Sequence, residues 1–234
     1  MKIVLLPGLD GTGVHFQPFL KEMPSSWEAL VFRYPTESPQ DYATLTEFVA
    51  QRLPREEPFC LLAESFSGPI AYRLAASGRF PIESVIFVAT FLHSPRPTLL
   101  NLRHVLPLAW LLQFKTPDWI LRRLMLDKQT SNEFLTTFWL AVEQVSPGVI
   151  MQRLGSIAVL PGGQVTLNQP CLYLQAGHDL LVPKRSVEDF KAVCPDLKVI
   201  QIPGRHFLLQ AKPKPCIEAI ERWLADGPEF DGRR

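Results

Sequence analysis

Apolar residues gather along this chain in six short runs: Ile3–Leu6, Ala29–Phe32, Phe59–Ala63, Ser84–Ala89, Cys171–Gln175 and Lys198–Ile202. A continuous apolar run this short predicts a strand buried on both faces. Helical patterns separate most of the runs. In Ser38-Pro39-Gln40-Asp41 a serine stands at the N-cap, a proline at the first helical position and an acid at the third. Tyr42, Leu45, Phe48, Val49 and Leu53 then recur at helical spacing. A last helix starts near Pro215, buries Ile217, Ile220, Trp223 and Leu224, and stops near Gly227. Strands alternating with helices predict an α/β chain whose mostly parallel six-stranded sheet has helices on both faces.

One stretch breaks the alternation. From Phe91 to Asn168 the pattern holds no strand, only amphipathic helical segments punctuated by Pro and Gly: Leu99–Phe114, Asp118–Leu126, Asn132–Val145 and Val149–Val159. Thr130 or Ser131 is placed to cap the third. The expected organisation is a core of residues 1–90 and 169–234 with a helical lid inserted at 91–168. The lid's aromatics, Trp110, Phe114, Trp119, Phe134, Phe138 and Trp139, imply an apolar inner face.

Composition narrows the partners. The formal net charge is +1, so no basic field is available to hold nucleic acid. The expected partner is a small, apolar molecule. Cys60, Cys171, Cys194 and Cys216 are widely spaced and read as reduced, structural residues. The apolar start of the chain is too short for a signal peptide, and the segment 99–114 is too short and too interrupted to span a bilayer. The expectation is a cytoplasmic protein without stable membrane insertion; oligomeric state is not legible.

The chemistry concentrates where apolar runs end. Phe59–Ala63 runs into Glu64-Ser65-Phe66-Ser67-Gly68, and a helical pattern follows. This is a relaxed G-x-S-x-G frame, read as Ala63-x-Ser65-x-Ser67, in which a sharp turn would lift the Ser65 hydroxyl and the next helix would aim its N–H groups at it. Acyl chemistry by a serine also needs a base, an acid to orient the base, and donors for the oxyanion. Asp179 lies just past the fifth run, in Gly177-His178-Asp179 before Val182-Pro183. His206 lies just past the sixth, in Pro203-Gly204-Arg205-His206. All three thus fall at carboxyl ends of strands, where open α/β sheets place their sites. The loop Leu6-Pro7-Gly8-Leu9-Asp10-Gly11-Thr12-Gly13 follows the first run. If the first and third strands are neighbours, this loop sits beside Ser65, and the N–H groups of Leu9 and Phe66 form the oxyanion hole.

On these motifs the chain resembles the α/β-hydrolase superfamily over nearly its whole length. The Leu-Pro-Gly-Leu-Asp-Gly-Thr-Gly loop is similar to that of small bacterial esterase-like members and of the phytyl ester synthase group. The chain has Pro7-Gly8 where most relatives have His-Gly, and Ala63-Glu64-Ser65 where many have Gly-His-Ser. The resemblance implies strand order 2-1-3-4-5-6 with a helical cap between the fourth and fifth strands. It also implies a serine hydrolase of carboxylic esters, with Ser65, His206 and Asp179 as its triad and no cofactor. A thioesterase or acyltransferase using the same triad, or a ligand-binding protein of the same fold, are the alternatives.

Other residues have competing readings. Ser67 sits where small size is needed, so packing is the expected role. Asp179 could instead cap a helix near Pro183. His93, at the lid entrance, is expected to line the substrate pocket with Trp110 and Phe138, whereas His104 reads as a packing or surface residue. His178 adjoins Asp179, but neighbours in a turn diverge. His15 reads as a helix cap, Asp10 as a brace for the loop through local N–H bonds, and Glu64 as facing either site or solvent. No histidine–carboxylate cluster has metal-ligand spacing, and the glycine loop lacks the lysine of a phosphate loop.

Overall fold

The computed structural model describes residues 1–37, 39–97, 117–127, 130 and 132–227. The six apolar runs form β1 (Lys2–Leu6), β2 (Glu28–Val31), β3 (Phe59–Glu64), β4 (Ile82–Val88), β5 (Cys171–Ala176) and β6 (Leu197–Ile202). All neighbours pair in parallel, in the order β2-β1-β3-β4-β5-β6.

Side-chain alternation divides the inner strands between two cores, whereas β2 and β6, at the sheet's edges, are only partly covered rather than buried on both faces as expected, with Leu30 of β2 39% exposed. Val4, Leu6, Leu61 and Ala63 point to one face, where they meet α2 (Tyr42–Ala50) and α3 (Gly68–Ala76). Ile3, Leu5, Cys60 and Leu62 point to the other, against α1 (Gln17–Glu22) and residues of the C-terminal helix. Covering both faces is what makes the strands read as unbroken apolar runs rather than as alternating ones.

Between β4 and β5 the described residues form α4 (Asp118–Leu124), α5 (Asn132–Glu143) and α6 (Pro147–Ala158). The predicted helix Leu99–Phe114, with Trp110, His104 and Phe114, lies outside the described residues, as does Ser131. After β5 come α7 (Ser186–Val193), α8 (Leu208–Ala211) and α9 (Pro213–Ala225).

Two helix starts differ from expectation. The cap of α2 is Asp41, whose carboxylate accepts from Thr44 N at 2.9 Å. An acid near a helix start is an equally good cap, so the frame shifts by three residues from Ser38, itself outside the described set. Ser146 caps α6 through Val149 N, starting it at Pro147 rather than Val149. The last helix likewise starts two residues earlier than predicted, at Pro213. Gly227 follows it with φ +65°, the left-handed conformation that ends helices. Among the described residues no single helix is long and apolar enough to cross a membrane, and the four cysteines are buried and free.

Candidate active site

Ser65 follows β3 immediately and has φ +50°. A non-glycine residue there costs about 1–2 kcal/mol, so its surroundings must hold the turn in place. Its carbonyl accepts from Gly68 N and from the Thr90 hydroxyl. Thr90 follows β4, and its own carbonyl accepts from Tyr173 OH at 2.7 Å. Gly68 is the small residue the elbow requires: a Cβ there would lie 2.0 Å from Thr90 Oγ1. The frame's second small position therefore works through Gly68 as well as Ser67. Ser67 is fully buried and bonds both Tyr34 OH and the Pro7 carbonyl. It thus ties the elbow to the loop after β1, a role beyond small size.

Two backbone bonds bring Asp179 and His206 together. Gly177 N donates to Ile202 O, and His178 N to Gly204 O, each at 2.9 Å. They lock the loop after β5 onto the loop after β6. Asp179 Oδ1 accepts from Leu181 N at 2.8 Å and Val182 N at 2.9 Å. Its Oδ2 lies 2.8 Å from His206 Nδ1, and His206 Nε2 lies 2.8 Å from Ser65 Oγ. The three side chains form one hydrogen-bonded line, with Asp179 4% and His206 6% exposed. Asp179 does not cap a helix near Pro183, since the next helix starts at Ser186; its Oδ1 instead closes the Leu181–Val182 turn while its Oδ2 faces His206. Burial opposes the charged form of His206, but Asp179, and then Glu64, outweigh it and leave its pKa above the ordinary value.

The loop after β1 lies beside the elbow because β1 and β3 pair, Leu6 opposite Ala63. A Cβ on Gly8 would come within 4.0 Å of Ser65 Cβ. Phe66 is fully buried, stacked on Tyr42 at 4.9 Å, which fixes its backbone beside Ser65. Leu9 packs on Val145, Val149 and Ile150 of the insertion. Asp10 braces the loop as expected, accepting from Thr12 N at 2.9 Å.

Several settings differ from expectation. His15 does not cap a helix. It is buried, with Nδ1 3.2 Å from Asp10 Oδ1 and its ring stacked on Phe138 at 4.9 Å. Burial opposes its charge, yet Asp10 raises its pKa, and His15 and Thr12 together hold Asp10 well below the usual carboxylate range. His93 is exposed, with Nδ1 3.1 Å from Asp189 Oδ1 on α7. Phe138 is buried among Phe134 and Phe207, and Phe207 adjoins His206. Trp110 lies outside the described residues. His178 is exposed.

Glu64 is only 4% exposed. Gln210 Nε2 donates to its Oε2 at 3.1 Å, while Glu64 Oε1 and Gln210 Oε1 are buried without partners. Burial pushes the Glu64 pKa up to about 7. A proton on Glu64 supplies a donor that the carboxylate lacks. A cavity of about 250 Å³ is lined by Asp118, Asn132, Leu135, Thr136, Trp139 and Leu140, on the insertion and apart from Ser65. Among the described residues no group of three or more His, Cys, Asp or Glu could hold a metal ion.

A family model described as the alpha/beta hydrolase family matches residues 3–219. No curated protein matches the chain in sequence. Similar solved structures include a thermophilic esterase from Thermogutta terrifontis, with TM-score 0.77 and 16% identity over 97% of this chain and 90% of that one. The enol-lactonase from Burkholderia xenovorans has TM-score 0.73 and 16% identity, covering 96% and 91%. The RedJ thioesterase of the prodiginine pathway in Streptomyces coelicolor has TM-score 0.70 and 16% identity, covering 94% and 84%.

Proposed function

Because the chain belongs to the alpha/beta hydrolase family, we propose that it is a serine hydrolase of carboxylic esters with an apolar acyl or alcohol part. The observation that carries this reading is the unbroken line from Ser65 Oγ through His206 to Asp179, each link 2.8 Å. With Nδ1–H donated to Asp179, a neutral His206 presents Nε2 as acceptor for the Ser65 proton. Ser65 Oγ attacks the ester carbonyl as that proton passes to His206. Asp179 stabilises the imidazolium, and the Leu9 and Phe66 N–H groups receive the oxyanion. His206 returns the proton to the departing alcohol, leaving an acyl-enzyme. Water, activated by His206, then releases the acid.

Aromatic rings flank this line. Phe207 stands 5.8 Å from the His206 ring and 5.6 Å from Phe138. They offer an apolar wall for one end of a substrate, which is the basis for assigning Phe138 to substrate contact and the insertion to the role of a lid. No cofactor enters the mechanism. The likeness to a thioesterase favours thioesters as a second substrate class.

The test is initial rates on p-nitrophenyl acetate, butyrate, octanoate and palmitate, with an acyl-coenzyme A thioester alongside, for wild type and Ser65→Ala. The expected outcome is ester turnover that falls by at least about 10³-fold in the variant. A folded wild type inert to all esters and to fluorophosphonate labelling at Ser65 would overturn the reading.

A further inference from the structure

We infer that Arg153, on α6 of the insertion, is a positioning residue that holds the oxyanion loop in register with Ser65. This rests on the reading of Leu9 N–H as an oxyanion donor. Arg153 is fully buried, and its hydrogen bonds go to three neutral oxygens. Nε donates to Gln40 Oε1 at 3.0 Å, Nη1 to Leu9 O at 2.8 Å and Nη2 to Pro35 O at 3.1 Å. Asp10 attracts the guanidinium only from a distance, without a direct bond. For stability alone, an apolar side chain of similar volume serves as well as a buried cation. What a guanidinium adds is a rigid planar fork that fixes several acceptors at once.

The loop is moulded on that fork. Gly11 has φ +69°, and a Cβ there would lie 2.4 Å from Arg153 Nη1. Both peptide planes that flank Leu9 are then set. On the preceding side, Gly8 O accepts from Gly11 N at 3.1 Å. A trans peptide points its C=O and N–H in opposite directions, so this bond aims Leu9 N–H away from the turn. On the following side, Leu9 O is held by Arg153. Further along, Ser67 holds Pro7 O, and Tyr34 N donates to Gly11 O at 2.8 Å. The Tyr34 ring lies 5.6 Å from the Arg153 guanidinium carbon, and its hydroxyl bonds Ser67. The elbow and the core thus fix the loop's ends, and the insertion fixes Leu9 itself.

The experiment compares wild type, Arg153→Lys and Arg153→Met. It reads kcat/KM on a p-nitrophenyl ester, inhibition by an alkyl boronic acid, inhibition by the neutral alcohol product of an alkyl ester, and amide exchange at Leu9–Gly11. The boronate becomes tetrahedral on Ser65 and needs the oxyanion donors, whereas the alcohol product does not. Arg153→Met is expected to lower kcat/KM about 10- to 100-fold, below the loss of a whole donor. Boronate affinity should fall by the same factor, with product affinity unchanged and faster exchange in the loop. Lys, which keeps the charge without the fork, should fall between. A purely structural role would lower the melting temperature without separating boronate from product. Unchanged exchange and boronate affinity in folded Arg153→Met would overturn the proposal. If that variant does not fold, Gln40→Leu, which frees Arg153 Nε, carries the same readouts. Faster loop exchange in a series where wild type shows neither Ser65-dependent turnover nor boronate binding would uphold the hold on the loop and overturn the ester reading.

Discussion

Glu64 is a carboxyl adjoining Ser65 with burial on every side, and its titration should reach both stability and activity. Its pKa rises from 4.5 to about 7 on folding, chiefly by burial. A raised carboxyl pKa means that folding favours the neutral form. The contribution is complete below the unfolded value and is lost as pH climbs through the folded one. The shift corresponds to about 3 kcal/mol. Glu64→Gln, neutral at every pH, should therefore gain about that much stability relative to wild type between about pH 4.5 and pH 8 in urea unfolding. A difference flat with pH would mean that Glu64 stays ionised. The same carboxylate raises the pKa of His206, so Glu64→Gln should move the acid limb of kcat/KM to lower pH. Ser65, Asp179 and His206 were legible because each ends an apolar run at a turn. Glu64 was not, since its partner Gln210 lies 146 residues away and strand alternation does not say which helix covers a strand's last residue.

Among elements, the junction of β3 and α3 depends on one close approach. Gly68 begins α3 against Thr90, which in turn bonds the carbonyl of the strained Ser65. Gly68→Ala is expected to destabilise by about 1–3 kcal/mol, the usual range for overpacking, and to lower kcat by displacing Ser65. Thr90→Ala makes room for the new methyl but loses the bond to Ser65 O. Adding Thr90→Ala to Gly68→Ala should then recover stability more than activity. Thermal melts and kinetics of the four-member cycle test this, and simple additivity would show that the two residues do not press on each other. The sequence displayed Gly68 behind a frame lacking both usual glycines. The glycine's purpose stayed hidden because Thr90 belongs to another strand's end. The limit was also local at α2, where the sequence read Ser38 as the cap and Asp41 as an acid of the first turn, and the helix starts on Asp41 instead.

At the scale of the molecule, the strand order was legible through the resemblance, whereas the attachment of the insertion was not. Its bonds to the core join residues far apart in sequence. Arg153 reaches Gln40 and Leu9, Arg33 bonds Gln144 at 2.8 Å, and Phe207 N donates to Met125 O at 3.0 Å. Ile157 of α6 and Leu160 pack in the same core as α2 and α3, and Phe138 stacks on His15. Leu121, Leu126, Phe134, Leu135 and Phe138 form a small cluster of their own that is closed by Phe207 of the core, and a cluster of this size is too small to stay folded once the sheet opens. Insertion and core should therefore unfold in one transition. Trp139 reports on α5 and Trp223, 7% exposed, on the packing of α9 against the sheet. In variants keeping only one of these tryptophans, the others changed to Phe, the two fluorescence transitions in urea should share one midpoint and one slope after allowance for the shift each set of substitutions causes in circular dichroism. A Trp139 transition that precedes loss of the circular dichroism signal would instead make the insertion a separately opening unit. The loop bearing Leu9 would then lose its Arg153 tether before the sheet unfolds, and turnover should fall with the Trp139 signal rather than with the sheet.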